Sequence, residues 1–458
     1  MTTATTDPVR LPPGPRAPKL LQGLGMVAVQ SRMLTALSRK YGSAFTVNVP
    51  LFGRMVIVSS PSDVKELFSS SRELIGRPTN NLGDVLGSGS VFALDGDELL
   101  ARRRLLLPPF NGKSMRSYET ITEAEVMAEL STWPEGVEFE TLDPMMRISL
   151  NTILRAVFGA EGKELEELRT LMPAAVEFGS RIALLPGVIR RDFGKWSPGG
   201  HFAQYRRRMD ELIATLIADA RADPDFDQRQ DVLTLLLRTR YDDGTPISDQ
   251  HIADELLTLL VAGHETTSSQ LSWVVERIRR HPELLDRLTE EADAGGSELL
   301  RATIQEVQRT RPVLTASLRR TKTRVQLGEW VIPENTTVMG SLHLAMTSAD
   351  SFPEPDRFNP DRFLGVNPNP FAYVPFGGGM NRCIGASFAS MEMEIAVRAI
   401  LREFRIEPTE AADERPFNRG VSIVPNKGGR VVVHRRKSVA ASTNSSSAPA
   451  EQSNDQRR

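Results

Sequence analysis

The chain has 458 residues, 25% charged and 40% apolar, with a formal net charge of −2. That balance gives no global field for nucleic acid or an acidic membrane, and the apolar content is enough for a sizeable core. One cysteine excludes an intramolecular disulfide framework and fits a reducing compartment. There is no run of about 20 apolar residues, and the polar, threonine-rich start does not read as a secretion signal, so a cytoplasmic protein without a membrane anchor is expected.

In chain order, residues 1–10 are expected to be disordered, and Leu11-Pro12-Pro13-Gly14-Pro15 to be stiff and extended, because proline fixes φ and restricts the residue before it. A helix over 27–41 precedes two strands, 44–49 and 54–59, read as a hairpin. Most of the remainder is helix: 61–70, 97–106, 117–131, 143–158, 162–179, 201–221, 229–238, 249–280, 282–293, 297–310 and 384–402. Strand-like pieces at 325–327 and 431–434 come late. The class is mainly α, a large helical body with a small β-rich N-terminal part. No linker splits it, so 11–436 is expected to be one catalytic domain. Residues 437–458, rich in Ser, Ala, Asn and Gln, are expected to form a mobile tail.

The helix beginning after Ser248 would be about 48 Å long at 1.5 Å per residue. Ser248 is a natural N-cap, and His281-Pro282 a stop. Its middle, Ala262-Gly263-His264-Glu265-Thr266-Thr267, is its poorest helix former, since Gly263 costs about 1 kcal/mol relative to Ala. Thr266 can bond back to the carbonyl of Ala262, and such bonds bend or open a helix. Glu265 and Thr266 make an acid–alcohol pair suited to passing protons. A Glu-Thr-Thr run alone is more often a solvated patch.

Cys383 sits in Phe376-Gly377-Gly378-Gly379-Met380-Asn381-Arg382-Cys383-Ile384-Gly385, directly before a helix-forming run. A thiolate is a strong soft iron ligand, and N–H groups at a helix start help it stay deprotonated. Gly377, Gly379 and Gly385 let the backbone turn tightly and lie against a flat ligand. A lone cysteine is usually a small buried apolar residue; the glycine frame argues otherwise.

Phe376, Gly379, Cys383 and Gly385 resemble the cysteine-ligand loop of the cytochrome P-450 monooxygenases. The 262–267 run resembles that family's oxygen-activation segment. The resemblance implies the P-450 fold, heme b (iron protoporphyrin IX) held by Cys383, and cofactor contacts from Ala262, Phe376, Gly377 and Gly385. It implies proton delivery by Thr266 and Glu265, and propionate binding by Arg103 and Arg320, with Arg319 the neighbouring alternative to Arg320. It also implies a structural Glu306/Arg309/Arg362 set with no chemical step. Two departures stand out: Asn381 replaces the usual Arg or His, and Leu99 the usual Trp or His, each a missing propionate donor.

With no flavin or nicotinamide fingerprint, electrons are expected from a ferredoxin-type donor and its reductase, docking on a basic patch of Arg102, Arg104 and Arg382 if these are more than a solvated face. By resemblance the substrate pocket is lined by 76–92, 172–190, 313–318 and 420–424. The expected function is insertion of one atom of O2 into a lipophilic small molecule by a monomeric enzyme. The alternatives are a peroxide-using or oxygen-independent heme-thiolate enzyme, or a heme-binding sensor.

Overall fold

The computed structural model describes residues 2–436 except 51–52, 79–80, 160 and 184–186. The expected tail, 437–458, lies outside the described residues. The chain opens with β1 (Thr3–Ala4), α1 (Lys19–Ala28), α2 (Gln30–Tyr41), β2 (Ala44–Val49), β3 (Gly53–Val58), α3 (Pro61–Phe68) and β4 (Ile75–Gly76). A helical stretch follows: α4 (Asn81–Leu86), α5 (Gly96–Leu106), α6 (Lys113–Leu130), then β5 (Phe139–Glu140), α7 (Leu142–Phe158), α8 (Lys163–Ala183), α9 (Gly187–Arg190), α10 (Pro198–Ala222) and α11 (Val232–Arg238). The centre is α12 (Asp249–Ile278), followed by α13 (Pro282–Asp293) and α14 (Glu298–Thr310). Strands β6 (Ala316–Thr321), β7 (Val325–Leu327), β8 (Trp330–Ile332) and β9 (Thr337–Ser341) lead to α15 (Leu342–Met346) and α16 (Ala386–Glu403). The chain ends in β10 (Phe404–Ile406), β11 (Pro416–Arg419), β12 (Ser422–Pro425), β13 (Arg430–Val431) and β14 (Val433–Arg435).

The mainly α reading holds. The largest sheet, ordered β2-β3-β9-β6-β4, draws two of its strands from residues 316–341 rather than from the N-terminal part alone. Strand β9 runs parallel to β3 and antiparallel to β6 and is buried along its whole length, as a central strand must be.

Two expectations at the start of the chain fail. Residues 3–4 are not disordered: they pair with Val325 and Gln326, and Arg10 bridges to Val331. The edge of β7 offers unpaired backbone groups, and the threonine-rich start supplies a strand to meet them. The 27–41 helix is instead two, α1 and α2, broken at Val29 (φ −143, ψ 39).

Helix α12 forms because Ser248 caps it, its hydroxyl accepting from His251 N–H at 3.3 Å. Its apolar side chains join two cores. Leu256, Leu257 and Leu260 pack with α7 and α10 side chains, whereas Leu271, Val274, Val275 and Ile278 pack with α14 and α16. The helix therefore runs from one core into the other, with the 262–267 run at the junction.

Candidate functional site

The Cys383 loop is fixed before any ligand is considered. Gly377 and Gly379 have φ of 64 and 62, in the region that favours glycine. A Cβ on Gly379 would stand 2.1 Å from the Phe68 carbonyl oxygen, so the loop could not approach α3 with any other residue there. Cys383 N–H donates to the Phe376 carbonyl at 2.9 Å and closes the turn. Gly385 caps α16, and a Cβ built on it meets no protein atom within 4 Å. That glycine faces open space.

The space is a cleft of about 750 Å³ of atom-free volume, partly open to solvent and mostly apolar. On one wall lie Cys383, Ile384, Gly385, Phe388 and Ala389; on the other lie Thr258, Leu259, Ala262, Gly263, Thr266 and Thr267 of α12. Cys383 is solvent-exposed, and it lines this cleft. Protein around the rest of it pushes the thiol pKa up, despite the Gly385 N–H and the charges of Arg103 and Arg382.

Thr266 Oγ1 donates to the Ala262 carbonyl at 2.8 Å, as its spacing predicts. The bond does not open the helix; α12 is continuous through the run. Glu265 is buried behind the wall rather than in the cleft. Ser422 Oγ of β12 donates to Oε1 at 2.9 Å, and Ser180 Oγ of α8 to Oε2 at 3.2 Å. Burial raises its pKa, and the two serines and Arg419 oppose that. His264 is also buried and outside the cleft, and desolvation, helped by Arg419, pushes its pKa down to about 4.

At the edge of the cleft stand more cations than the protein neutralises. Arg103 Nη2 donates to the Arg382 carbonyl at 2.7 Å. Arg77 Nε donates to Asn381 Oδ1 at 3.0 Å, and its Nη1 donates to the Val91 carbonyl. Burial and the nearby Arg103 push Arg77 down to about 10. Burial and Arg77 do the same to Arg319, which donates to the Gly378 carbonyl at 3.1 Å. Among the described residues no carboxylate is ion-paired with Arg77, Arg103 or Arg319. Arg77 and Arg103 lining an apolar slot, with Arg319 beside them at the Gly378 carbonyl, fit a flat, mostly apolar group with two carboxylates at one edge.

The sequence reading is corrected here. Arg319 is buried and reaches the Gly378 carbonyl of the cysteine loop, while Arg320, next on the strand, is paired opposite Gly76. Alternation along β6 permits only one of them to face inward. Arg77 was missed altogether; the signal was the shortage of donors left by Leu99, now a core residue, and Asn381. Phe376 and Gly377 shape the loop and do not line the cleft.

Arg102 does not belong to an outward basic patch. It is 2% exposed, donating to Glu255 Oε1 at 2.9 Å, to the Gly89 carbonyl and to the Tyr241 hydroxyl. Arg382 and Arg104 are exposed, and Arg104 is paired with Asp242. The structural triad is as read: Arg309 grips Glu306 through two bonds of 2.7 and 2.9 Å, and Arg362 Nε lies 3.3 Å from Glu306 Oε1.

A second cavity adjoins the first through α12. It is almost wholly apolar, lined by Leu82, Val85 and Leu86, by Met172, Ala175, Val176 and Gly179, and by Leu257, Val261 and Val421. Three of the four expected substrate regions meet there. The fourth does not: Leu314 is exposed, and Val313 accepts a backbone bond from Ile423. Residues 184–186, in the expected channel mouth, lie outside the described residues.

The sequence profile of the family described as Cytochrome P450 matches residues 12–433. The chain belongs to the cytochrome P450 family. It is similar to the protein named "Putative cytochrome P450 138" from Mycobacterium tuberculosis, 52% identical over 95% of this chain and 99% of that one. It is 36% identical to "Putative cytochrome P450 135B1" of Mycobacterium bovis, over 96% and 94%. Its fold is similar to that of the retinoic acid bound cyanobacterial CYP120A1 (TM-score 0.81, 22% identity, 94% of this chain and all of that one) and of the cytochrome P450DA heme domain (TM-score 0.80, 21% identity, 94% and 98%). As a P450 the protein is an oxidoreductase of the heme-thiolate monooxygenase class. Among the described residues no helix is long and apolar enough to cross a membrane.

Proposed function

We propose that this P450 binds heme b between α12 and the 376–385 loop, with Cys383 as the iron ligand, and inserts one atom of O2 into a lipophilic small molecule. The observation that carries the reading is that Cys383 and Thr266 line one apolar slot with Arg77 and Arg103, and that Arg319 reaches the adjoining cysteine loop at Gly378. When bound, the heme supplies the oxygen-binding and electron-transfer chemistry. The protein supplies the rest. Arg77, Arg103 and Arg319 hold the propionates, and Gly385 leaves room for the ring to lie against the backbone. Ala262 and Gly263 keep the distal wall thin.

Thr266 holds a hydroxyl at that wall, and Glu265 is the acid behind it that restores the proton the hydroxyl gives up. Its raised pKa keeps a proton available closer to neutral pH than an ordinary carboxyl would. The substrate enters from the apolar cavity beside Val261, where hydrocarbon surface gains from leaving water. Electrons come from a ferredoxin-type donor and its reductase, with Arg382 the exposed cation nearest the sulfur. The enzyme acts as a cytoplasmic monomer.

The test is optical. Reduced, heme-loaded protein under carbon monoxide should show the red-shifted Soret band of thiolate ligation, and Cys383→Ser should lose it with all monooxygenase activity. Thr266→Ala should keep the band but consume electrons without forming product. Equal coupling in Thr266→Ala and wild type would favour peroxide-driven or oxygen-independent chemistry.

A further inference from the structure

Helix α1 carries its amphipathicity the wrong way out. Gln22 and Gly23 are buried, whereas Leu20, Leu21, Leu24 and Val27 are 72%, 60%, 64% and 80% exposed. At 3.6 residues per turn these four fall within about 120° of arc, one continuous apolar stripe. The orientation is locked rather than accidental. Gln22 Nε2 donates to the Ala17 carbonyl at 2.7 Å, and its Oε1 accepts from Asn48 N–H at 2.8 Å. A Cβ on Gly23 would stand 2.6 Å from Pro50, so only this face of the helix can lie on the β2–β3 hairpin. The leucines have nowhere to go but outward.

The charge around the stripe says what covers it. From residue 8 to residue 62 the chain contains Arg10, Arg16, Lys19, Arg32, Arg39, Lys40 and Arg54, and no Asp or Glu. Among the described residues only Arg10 of these has a carboxylate partner, Glu329. The other six are exposed. An exposed apolar helix face set in a purely cationic module, on a chain whose net charge is −2, is the composition of an interfacial helix on an anionic lipid surface. A second copy of the same module would meet it with like charge.

We propose that α1 docks the protein peripherally on anionic membranes, with Leu20, Leu21, Leu24 and Val27 entering the headgroup–acyl boundary and Arg16 and Lys19 contacting lipid phosphates. The docking needs no spanning segment. It is independent of what happens at Cys383, so its failure would leave the oxygenase reading intact.

Flotation of the full-length, heme-loaded protein with vesicles tests it. Wild type should float with phosphatidylcholine vesicles containing phosphatidylglycerol and remain behind with pure phosphatidylcholine, and added salt should weaken the binding. Leu21→Glu/Leu24→Glu should lower partitioning at least tenfold, and Lys19→Glu several-fold. Both changes lie on solvent-exposed side chains, so the carbon monoxide spectrum and thermal unfolding of the variants should match wild type. Wild type that never floats, or a double variant that floats equally, overturns the proposal. So does a dimer in sedimentation velocity that the double variant dissolves, which would assign the face to a second copy.

Discussion

Two groups of arginine, one around Glu306 of α14 and one beside the cysteine loop, are built on opposite principles. At the α14 end, Arg309 and Arg362 converge on Glu306, and further donors of Arg309 meet the Met346 and Pro355 carbonyls, so charge and hydrogen bonds close within the protein. Around the cysteine loop, Arg77, Arg103 and Arg319 meet carbonyls, the Asn381 amide and the Ser317 hydroxyl, and burial followed by a neighbouring arginine pushes the pKa of Arg77 and Arg319 down. A closed network contributes to folding. An open one is a binding site, because desolvating cations without anions costs free energy that only a ligand recovers.

The sharpest way to break that contrast is to remove one member of each group and follow two quantities. Arg309→Ala should cost about 3–5 kcal/mol of folding stability, since Glu306 is left buried with weaker compensation; chemical denaturation of heme-free protein measures it. If the triad variant unfolds like wild type, the closed network is not structural.

A third buried group sharpens the comparison by having, among the described residues, a hydroxyl partner but no ion-paired cation. Glu392 of α16 is pushed up to about 7 by burial, with the Ser149 hydroxyl at 2.5 Å opposing the shift. A carboxyl whose folded pKa is raised contributes its stability below the unfolded value of 4.5 and loses it as pH rises towards 7. At about 1.4 kcal/mol per pKa unit the wild type should lose up to ~3 kcal/mol across that window. Glu392→Gln should flatten the profile, as read by denaturation at several pH values.

The smallest effect is the most discriminating. Arg77→Ala should leave the heme-free protein as stable as wild type or slightly more so, because a repulsion is removed. Loss of heme to an excess of apo-scavenger should nevertheless quicken, corresponding to about 1.5–3 kcal/mol, the usual worth of hydrogen bonds to charged groups. Arg320→Ala should do neither.

What could be read in the sequence follows the range of the interactions. The Cys383 turn, the Thr266–Ala262 bond and the Glu306–Arg309 pair all lie within a few residues of one another, and each was legible from spacing. The failures needed distant partners. Three consecutive arginines, 102 to 104, sweep about 200° of a helix, so at least one must turn inward; that Arg102 does so depends on Glu255, on another helix. The choice between Arg319 and Arg320 is a parity fixed by the pairing of β6 with β9. Arg77 reaches the site only because Gly76 pairs with Arg320, which no local pattern encodes. Glu265 was read as the acid of an acid–alcohol pair; its burial and its tether to Ser180 and Ser422 are long-range and set it behind the wall.

Cys383 is the chain's only cysteine, it is exposed, and it lines the cleft. Any sulfhydryl-directed dye thus has a single target, and a seated cofactor would shield it. Labelling stoichiometry becomes a direct tally of vacant molecules in a preparation, with no engineered reporter and no turnover assay.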